Sequence, residues 1–516
     1  MRIRNSMINT ITSLVSNAIA LIVSFVAQKF FLKFLNVDFL GINGLFSNIL
    51  SVLGIFELGI GSAIVFYLYK PIANNDIKKI KSLMSFYKKT YRIIALIILG
   101  IGMLLIPFLN IIVGETKVEV NVYIVYLLFL ISTISSYLVV YKRTLLIAYQ
   151  KNYIISIIHT VYLILLNVVQ IIILYFFRNY YIYLGIKILC QLLENFVVTF
   201  IVNKKYAYIK SKDIQKLDRE TQKDIFIGIK ALFFHKIGGV VVNGTDNIII
   251  STFLGVRMVG LYSNYYMIIN SISVIINNMF SSIIGSVGNL LATENASKKY
   301  EVFKRVDFLN LWIAIVTAMC LYFLIIPFIK LWIGEEYLLS HITLIILIIN
   351  YFLQISKITF VLFKNAGGIW KQDKFIPLIE AGINIIASII FLKIFGLIGV
   401  FIGTIISGCV LWLYSYPKFV YKLIFDKGYL EYLGDFFRKI VTFLGIFILF
   451  IYLDSLIIIS NALIEMIFKT LIVLAISNLY MLMIYSKSEN LAYYKNLIKK
   501  FLSNIFEKDK NMEQKI

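Results

Sequence analysis

Apolar stretches of about 20 residues, each long enough to cross the hydrocarbon core of a bilayer, recur along this chain from one end to the other. Of its 516 residues 60% are hydrophobic and only five are prolines, more apolar surface than a soluble domain hides. The chain therefore reads as an all-α polytopic membrane protein. Spans are expected near 9–34, 40–69, 86–113, 121–142, 153–177 and 180–203, then 225–251, 257–291, 306–333, 338–363, 375–395 and 396–421. Two more follow near 437–457 and 462–485, for fourteen in all. Ala18-Ile19-Ala20 has the small residues of a cleavage site, but the apolar run continues well past it, which predicts a retained first helix.

The net charge of +23 is explained by where the charges fall. Connections after even-numbered spans are basic: Lys70 to Arg92 and Lys204 to Lys223 hold seven Lys or Arg each. Connections after odd-numbered spans are short and poor in both, as at Gly334-Glu335-Glu336. The positive-inside rule then puts both termini and all even-numbered connections in the cytoplasm, against anionic lipid headgroups, and no nucleic-acid partner is needed. The three cysteines sit singly in apolar segments, with no disulfide or metal spacing. No phosphate-binding Gly-rich loop and no catalytic constellation is present, so neither an ATPase nor an enzyme is expected.

The chain also repeats itself. Phe34-Leu35-x-Val37-x-x-x-Gly41 returns 219 positions later as Phe253-Leu254-x-Val256-x-x-x-Gly260. Ile106-Pro107-Phe108 with Gly114 returns 220 positions later as Ile326-Pro327-Phe328 with Gly334. Six spans per half give both halves the same starting side, so two six-helix bundles are expected, related by a pseudo-twofold axis along the membrane normal. The expected division is 1–210 and 211–430 for the bundles, 431–486 for two additional transmembrane helices, and 487–516 for a cytoplasmic tail. A substrate site between the halves near mid-membrane follows from such an architecture, which is that of a transporter.

Ionisable groups at membrane depth are costly and mark candidate sites. In the second span Asn43, Ser47, Ser51, Gly54 and Glu57 share one helical face; Glu57 either lines a cavity or makes a helix–helix hydrogen bond. The seventh span is the richest, with His235, Lys236, Asn243, Asp246 and Asn247 clustered on one side and Lys230 near its end. Lys236 either meets an anionic substrate or pairs with Glu57 or Glu380. His235 either titrates near neutral pH or packs as a hydrogen-bonded residue. Asp246 and Asn247 either close an outer gate, bind a coupling ion, or make structural hydrogen bonds. Lys357 and Glu380 complete the candidates of the second half; Lys187 and Glu194 share a face of the sixth span, and His159 reads as structural. No residue is expected to hold a metal.

Gly54 to Ile94 (GIFELGIGSAIVFYLYKPIANNDIKKIKSLMSFYKKTYRII) and His235 to Tyr266 (HKIGGVVVNGTDNIIISTFLGVRMVGLYSNYY) resemble bacterial polysaccharide-repeat-unit flippases. These are the Wzx-like transporters of the multidrug/oligosaccharidyl-lipid/polysaccharide exporter superfamily. The resemblance covers residues 1 to about 485. It implies two six-helix bundles around a central cavity plus two extra helices, in a bacterial cell membrane. It implies a substrate of undecaprenyl-pyrophosphate carrying one oligosaccharide unit, moved to the outer leaflet by alternating access coupled to protons or sodium, with no cofactor. Lys236, Glu57 and Asp246 match the charged motif positions of that family. Membrane lipids, polysaccharide polymerases and assembly proteins are the partners it implies, and a monomer is the default state. Relatives that flip the peptidoglycan precursor keep arginines in the first spans, whereas this first span has none at membrane depth. A drug or cation exporter of the same superfamily is the main alternative. A membrane polymerase or glycosyltransferase fits less well, because the outer connections are too short to hold a catalytic loop.

Overall fold

The computed structural model describes residues 2–57, 60–114, 116, 118–210, 217–369, 372–457, 459 and 461–513; within its helices the side chains of 2–7, 10, 56, 62, 63, 210, 228, 230–232, 234–236, 243, 501, 502 and 504–513 lie outside the description. The described residues form helices joined by short turns, without a strand among them. In order these are α1 (Arg2–Phe34), α2 (Val37–Leu53), α3 (Ile60–Ala73), α4 (Ile77–Leu104), α5 (Leu109–Val113), α6 (Val122–Tyr137), α7 (Val140–Ala148), α8 (Asn152–Phe177), α9 (Tyr180–Lys205), α10 (Arg219–Leu254) and α11 (Val256–Ser281). There follow α12 (Ile284–Thr293), α13 (Ala296–Trp332), α14 (His341–Ser356), α15 (Ile358–Ala366), α16 (Ile376–Phe395), α17 (Leu397–Val410), α18 (Leu423–Phe425), α19 (Tyr429–Leu456), α20 (Ala462–Ile484) and α21 (Glu489–Glu513).

Thirteen helical segments are long and apolar enough to cross a membrane, and they match the expected spans except the second. That span is not one continuous helix. It divides into α2, a 3-10 turn over Gly54–Glu57, and α3. Hydropathy sees only an unbroken apolar run there, because Gly54, Ile55 and Phe56 carry no polar side chain to mark the change of winding. The expected span near 396–421 is present as α17 followed by a π-helical stretch, Leu411–Lys422, that takes Pro417 inside it. The repeated Ile-Pro-Phe is read two ways. The first copy opens a 3-10 turn after α4, while α13 runs straight through Pro327. Both copies end at a glycine with positive φ, Gly114 at +65° and Gly334 at +121°, a conformation that side chains disfavour.

Residues 1–266 with 373–410 pack as one compact unit, and residues 267–372 with 411–516 as another, so the packing units have other bounds than the repeat. In the first unit α10 packs against α2, α3, α5, α16 and α17. Gly244 of α10 lies against Val52 of α2, and Gly238 against Pro377 of α16, which is how a helix this polar is admitted among apolar neighbours. The two copies of the repeated Phe-Leu-x-Val-x-x-x-Gly motif pack on each other. A Cβ placed on Gly41 would land on the Val256 carbonyl, and one placed on Gly260 would land on the Val37 carbonyl. The contact is reciprocal, with each hypothetical Cβ 3.1 Å from the other glycine's nitrogen. Three residues on, Gly44 faces Ser263. Gln28 of α1 and Asn264 of α11 hydrogen-bond beside this crossing at 2.5 Å.

In the second unit α13 is the axis. Its Phe303 is ringed by Phe360, Phe363, Tyr421 and Phe425. The two helices beyond the repeat are tied to it by polar bonds: Lys439 of α19 donates to Asp307 at 2.6 Å, both buried, and Trp312 Nε1 donates to Asn478 of α20 at 2.8 Å. Lys469 joins Asp454 at 2.6 Å and Glu465 at 2.8 Å, linking α19 to α20. The tail forms α21, whose Tyr494 hydroxyl donates to the Arg305 carbonyl at 3.1 Å while the Arg305 guanidinium sits 3.9 Å from the Tyr493 ring.

Candidate functional site

The side chains of Lys230, His235, Lys236 and Asn243 lie outside the described residues; α10 carries their backbone as continuous helix. Asp246, one turn further, is half-buried, and its Oδ1 is enclosed without a hydrogen-bond partner among the described residues, with Tyr262 and Tyr266 of α11 nearby. Asn247 is buried, points at the Gly44 position of α2, and also leaves its Oδ1 unbonded among the described residues. Glu380 is half-buried on α16, one turn past the Pro377 that packs on Gly238, so it stands on the helix adjoining the Lys236 segment. Lys357 sits in the turn between α14 and α15 and belongs to the second unit, whereas the other candidates belong to the first.

Glu57 ends the 3-10 turn and accepts a hydrogen bond from the Tyr91 hydroxyl of α4 at 3.3 Å, with the Tyr137 hydroxyl close to the same carboxyl. Tyr91 is 1% exposed, so this bond is held in the core of the first unit. The break in the second span is what lets a carboxylate turn inward here.

Among the described residues, helix α9 supplies the most developed polar face. Lys187, Gln191, Glu194 and Asn195 fall on one stripe, at offsets of four, seven and eight residues. Glu194 is buried and bridges two helices: Arg143 Nη2 of α7 and His159 Nδ1 of α8 each lie 3.1 Å from its Oε1. Asn195 accepts from Arg143 at 3.3 Å and donates to the Ser135 carbonyl at 2.9 Å, so this end of the stripe is saturated. Arg143 falls just past the expected fourth span and carries no motif, so only the fold shows that it partners Glu194.

Lys187 is placed differently. It forms no ion pair or hydrogen bond among the described residues and lies over the Phe129 ring, 4.8 Å from its centroid. It lines a cavity of about 270 Å³ together with Ser47 and Ser51 of α2 and Ser132 and Thr133 of α6. At 1.5 Å per residue these side chains stand roughly 10–21 Å beyond the first residues of α9, α2 and α6, a range that falls within a hydrocarbon core about 30 Å thick. The shared polar face read from Ser47 and Ser51 is thus the wall of a real cavity. A cation among hydroxyls at this depth can bind an anionic or polyhydroxylated group.

This fold is the one seen in transporters of the MOP superfamily. No family model and no curated protein sequence matches the chain. Among solved structures it is similar to the lipid II flippase MurJ in an inward closed conformation, with a TM-score of 0.63, 17% identity, and 93% of this chain and 99% of that one covered. It is similar to an inward-facing MATE-family multidrug resistance transporter of the MOP superfamily (TM-score 0.57, 14% identity, 78% and 94% covered). A mutant of the Vibrio cholerae MATE transporter VcmN is a further neighbour (TM-score 0.54, 15% identity, 82% and 99% covered).

Proposed function

We propose that this protein is a flippase that carries undecaprenyl-pyrophosphate-linked oligosaccharide repeat units from the cytoplasmic to the outer leaflet, by ion-coupled alternating access, for capsule or exopolysaccharide synthesis. Both termini then face the cytoplasm. The observation that carries this reading is similarity in fold to a lipid II flippase over nearly the whole chain. A cavity that sets the amine of Lys187 among hydroxyls, a surface suited to a phosphorylated, sugar-bearing headgroup, supports it. The candidate residues then have distinct tasks: Glu57, Asp246 and Asn247 respond to the coupling proton or sodium, and Lys236 and Lys187 meet the anionic headgroup. The MATE neighbours favour a second reading, export of small molecules by the same fold.

The test is the pool of lipid-linked sugar in cells lacking the gene, complemented by the wild type, Glu57→Gln or Lys236→Ala. The flippase reading predicts accumulation of undecaprenyl-pyrophosphate oligosaccharide on the cytoplasmic leaflet and loss of surface polymer. It predicts restoration by the wild type only. Unchanged pools with normal surface polymer would sink it in favour of the exporter.

A further inference from the structure

We propose that the cavity lined by Lys187, Ser47, Ser51, Ser132 and Thr133 is the subsite that holds the phosphate of a lipid headgroup. The proposal rests on the flippase reading for the identity of that lipid, but not for the site itself.

Four observations carry it. First, Lys187 has no acidic partner among the described residues: the acid on its own stripe, Glu194, is taken by Arg143 and His159. Second, the amine is not drawn toward the membrane surface. It lies over Phe129, a residue as far into α6 as Lys187 is into α9, so it stays at the depth of its own backbone. A lysine held at that depth over an aromatic face is only partly compensated, since a cation–π contact contributes far less than a charge in hydrocarbon costs. Third, several serines and threonines in the spans of this unit bond back to a carbonyl three or four residues earlier, as Thr133, Thr144 and Thr160 do. Ser47 and Ser51 make no such bond among the described residues, and both are exposed to the cavity. Their hydroxyls are available to a ligand. Fourth, at about 270 Å³ the cavity falls just below the usual ~300–1,000 Å³ of pockets that enclose a whole ligand. It fits one polar fragment of a headgroup and leaves the sugars and the tail elsewhere. A tetrahedral oxyanion meets both donor types here, a charge-assisted bond from the amine and neutral bonds from the hydroxyls.

The experiment measures binding of three lipids to the purified full chain in nanodiscs: undecaprenyl pyrophosphate, undecaprenol and phosphatidylglycerol. The proteins compared are the wild type, Lys187→Met, Lys187→Arg and the double variant Ser47→Ala/Ser51→Ala. Loss of one charged hydrogen bond predicts that Lys187→Met binds undecaprenyl pyrophosphate about 10- to 100-fold more weakly. Lys187→Arg should restore most of it, and the serine double variant should lose several-fold. Undecaprenol binding should be unchanged in every variant, which separates a lost phosphate contact from a damaged fold. Equal binding of undecaprenyl pyrophosphate by the wild type and Lys187→Met would overturn the subsite and leave the flippase reading standing. Lys187-dependent binding of phosphatidylglycerol with no preference for the polyprenyl lipid would support the subsite and count against the flippase reading. No binding of either phosphate lipid by the wild type would overturn both.

Discussion

Replacing Gly41 or Gly260 with leucine is expected to abolish function while Gly100→Leu, made where nothing lies within 4 Å of the new Cβ, leaves it intact. At the crossing of α2 and α11 the backbones themselves are in contact, each glycine beneath the other's valine carbonyl. No rotamer relieves this, because the clash begins at Cβ. Even alanine forces the helices apart, at the roughly 1–3 kcal/mol typical of overpacking, and leucine removes the close approach altogether. The crossing joins the starts of the two repeats on the side of the odd-numbered connections, which is the outer side in the proposed topology. A cycle that opens and closes that side must make and break this contact. We therefore expect Gly41→Leu and Gly260→Leu each to fail complementation while reaching the membrane. Normal complementation by Gly41→Leu would show that the contact is incidental.

The second large effect is expected at Lys439. Its amine and the Asp307 carboxylate meet at 2.6 Å with both side chains less than a tenth exposed. Removing one partner of a buried pair leaves the other charge uncompensated and costs about 3–5 kcal/mol, whereas replacing both by apolar residues is often nearly neutral. Lys439→Ala should lower the melting temperature of the detergent-solubilised protein substantially and reduce its yield. The double variant Lys439→Met/Asp307→Leu should recover most of the loss. A single variant as stable as the wild type would mean that water reaches Asp307. This pair helps fix α19, the first helix beyond the repeat, to α13, a role that its apolar sequence does not advertise.

Much of the fold was legible because the bilayer imposes it: apolar length marks a span. What hydropathy could not see was winding. The 3-10 turn at Gly54–Glu57 turns a carboxylate toward Tyr91, yet its residues read as plain apolar helix. The repeat was visible in the glycines and valines of its two copies, but nothing in one dimension says that a motif will pack on its own duplicate. For the site, the shared face of Lys187 and Glu194 was correctly placed, but their division of labour was not. A spacing of seven residues puts two side chains on one face without naming a third partner, and Arg143 arrives from a helix distant in the chain. The polar face of Ser47 and Ser51 was legible for the same reason that it is open: small hydroxyls on an otherwise apolar helix leave room beside it.

The most direct test of the account is transport in proteoliposomes that contain only the purified chain and a fluorescent undecaprenyl-pyrophosphate-linked oligosaccharide. A membrane-impermeant quencher added outside reads the fraction of the lipid on the outer leaflet. The account predicts protein-dependent transfer between leaflets, accelerated by an imposed proton or sodium gradient and lost in Lys187→Met. Transfer no faster than in protein-free vesicles under either gradient, with active efflux of a small cationic dye from the same preparation, would contradict it.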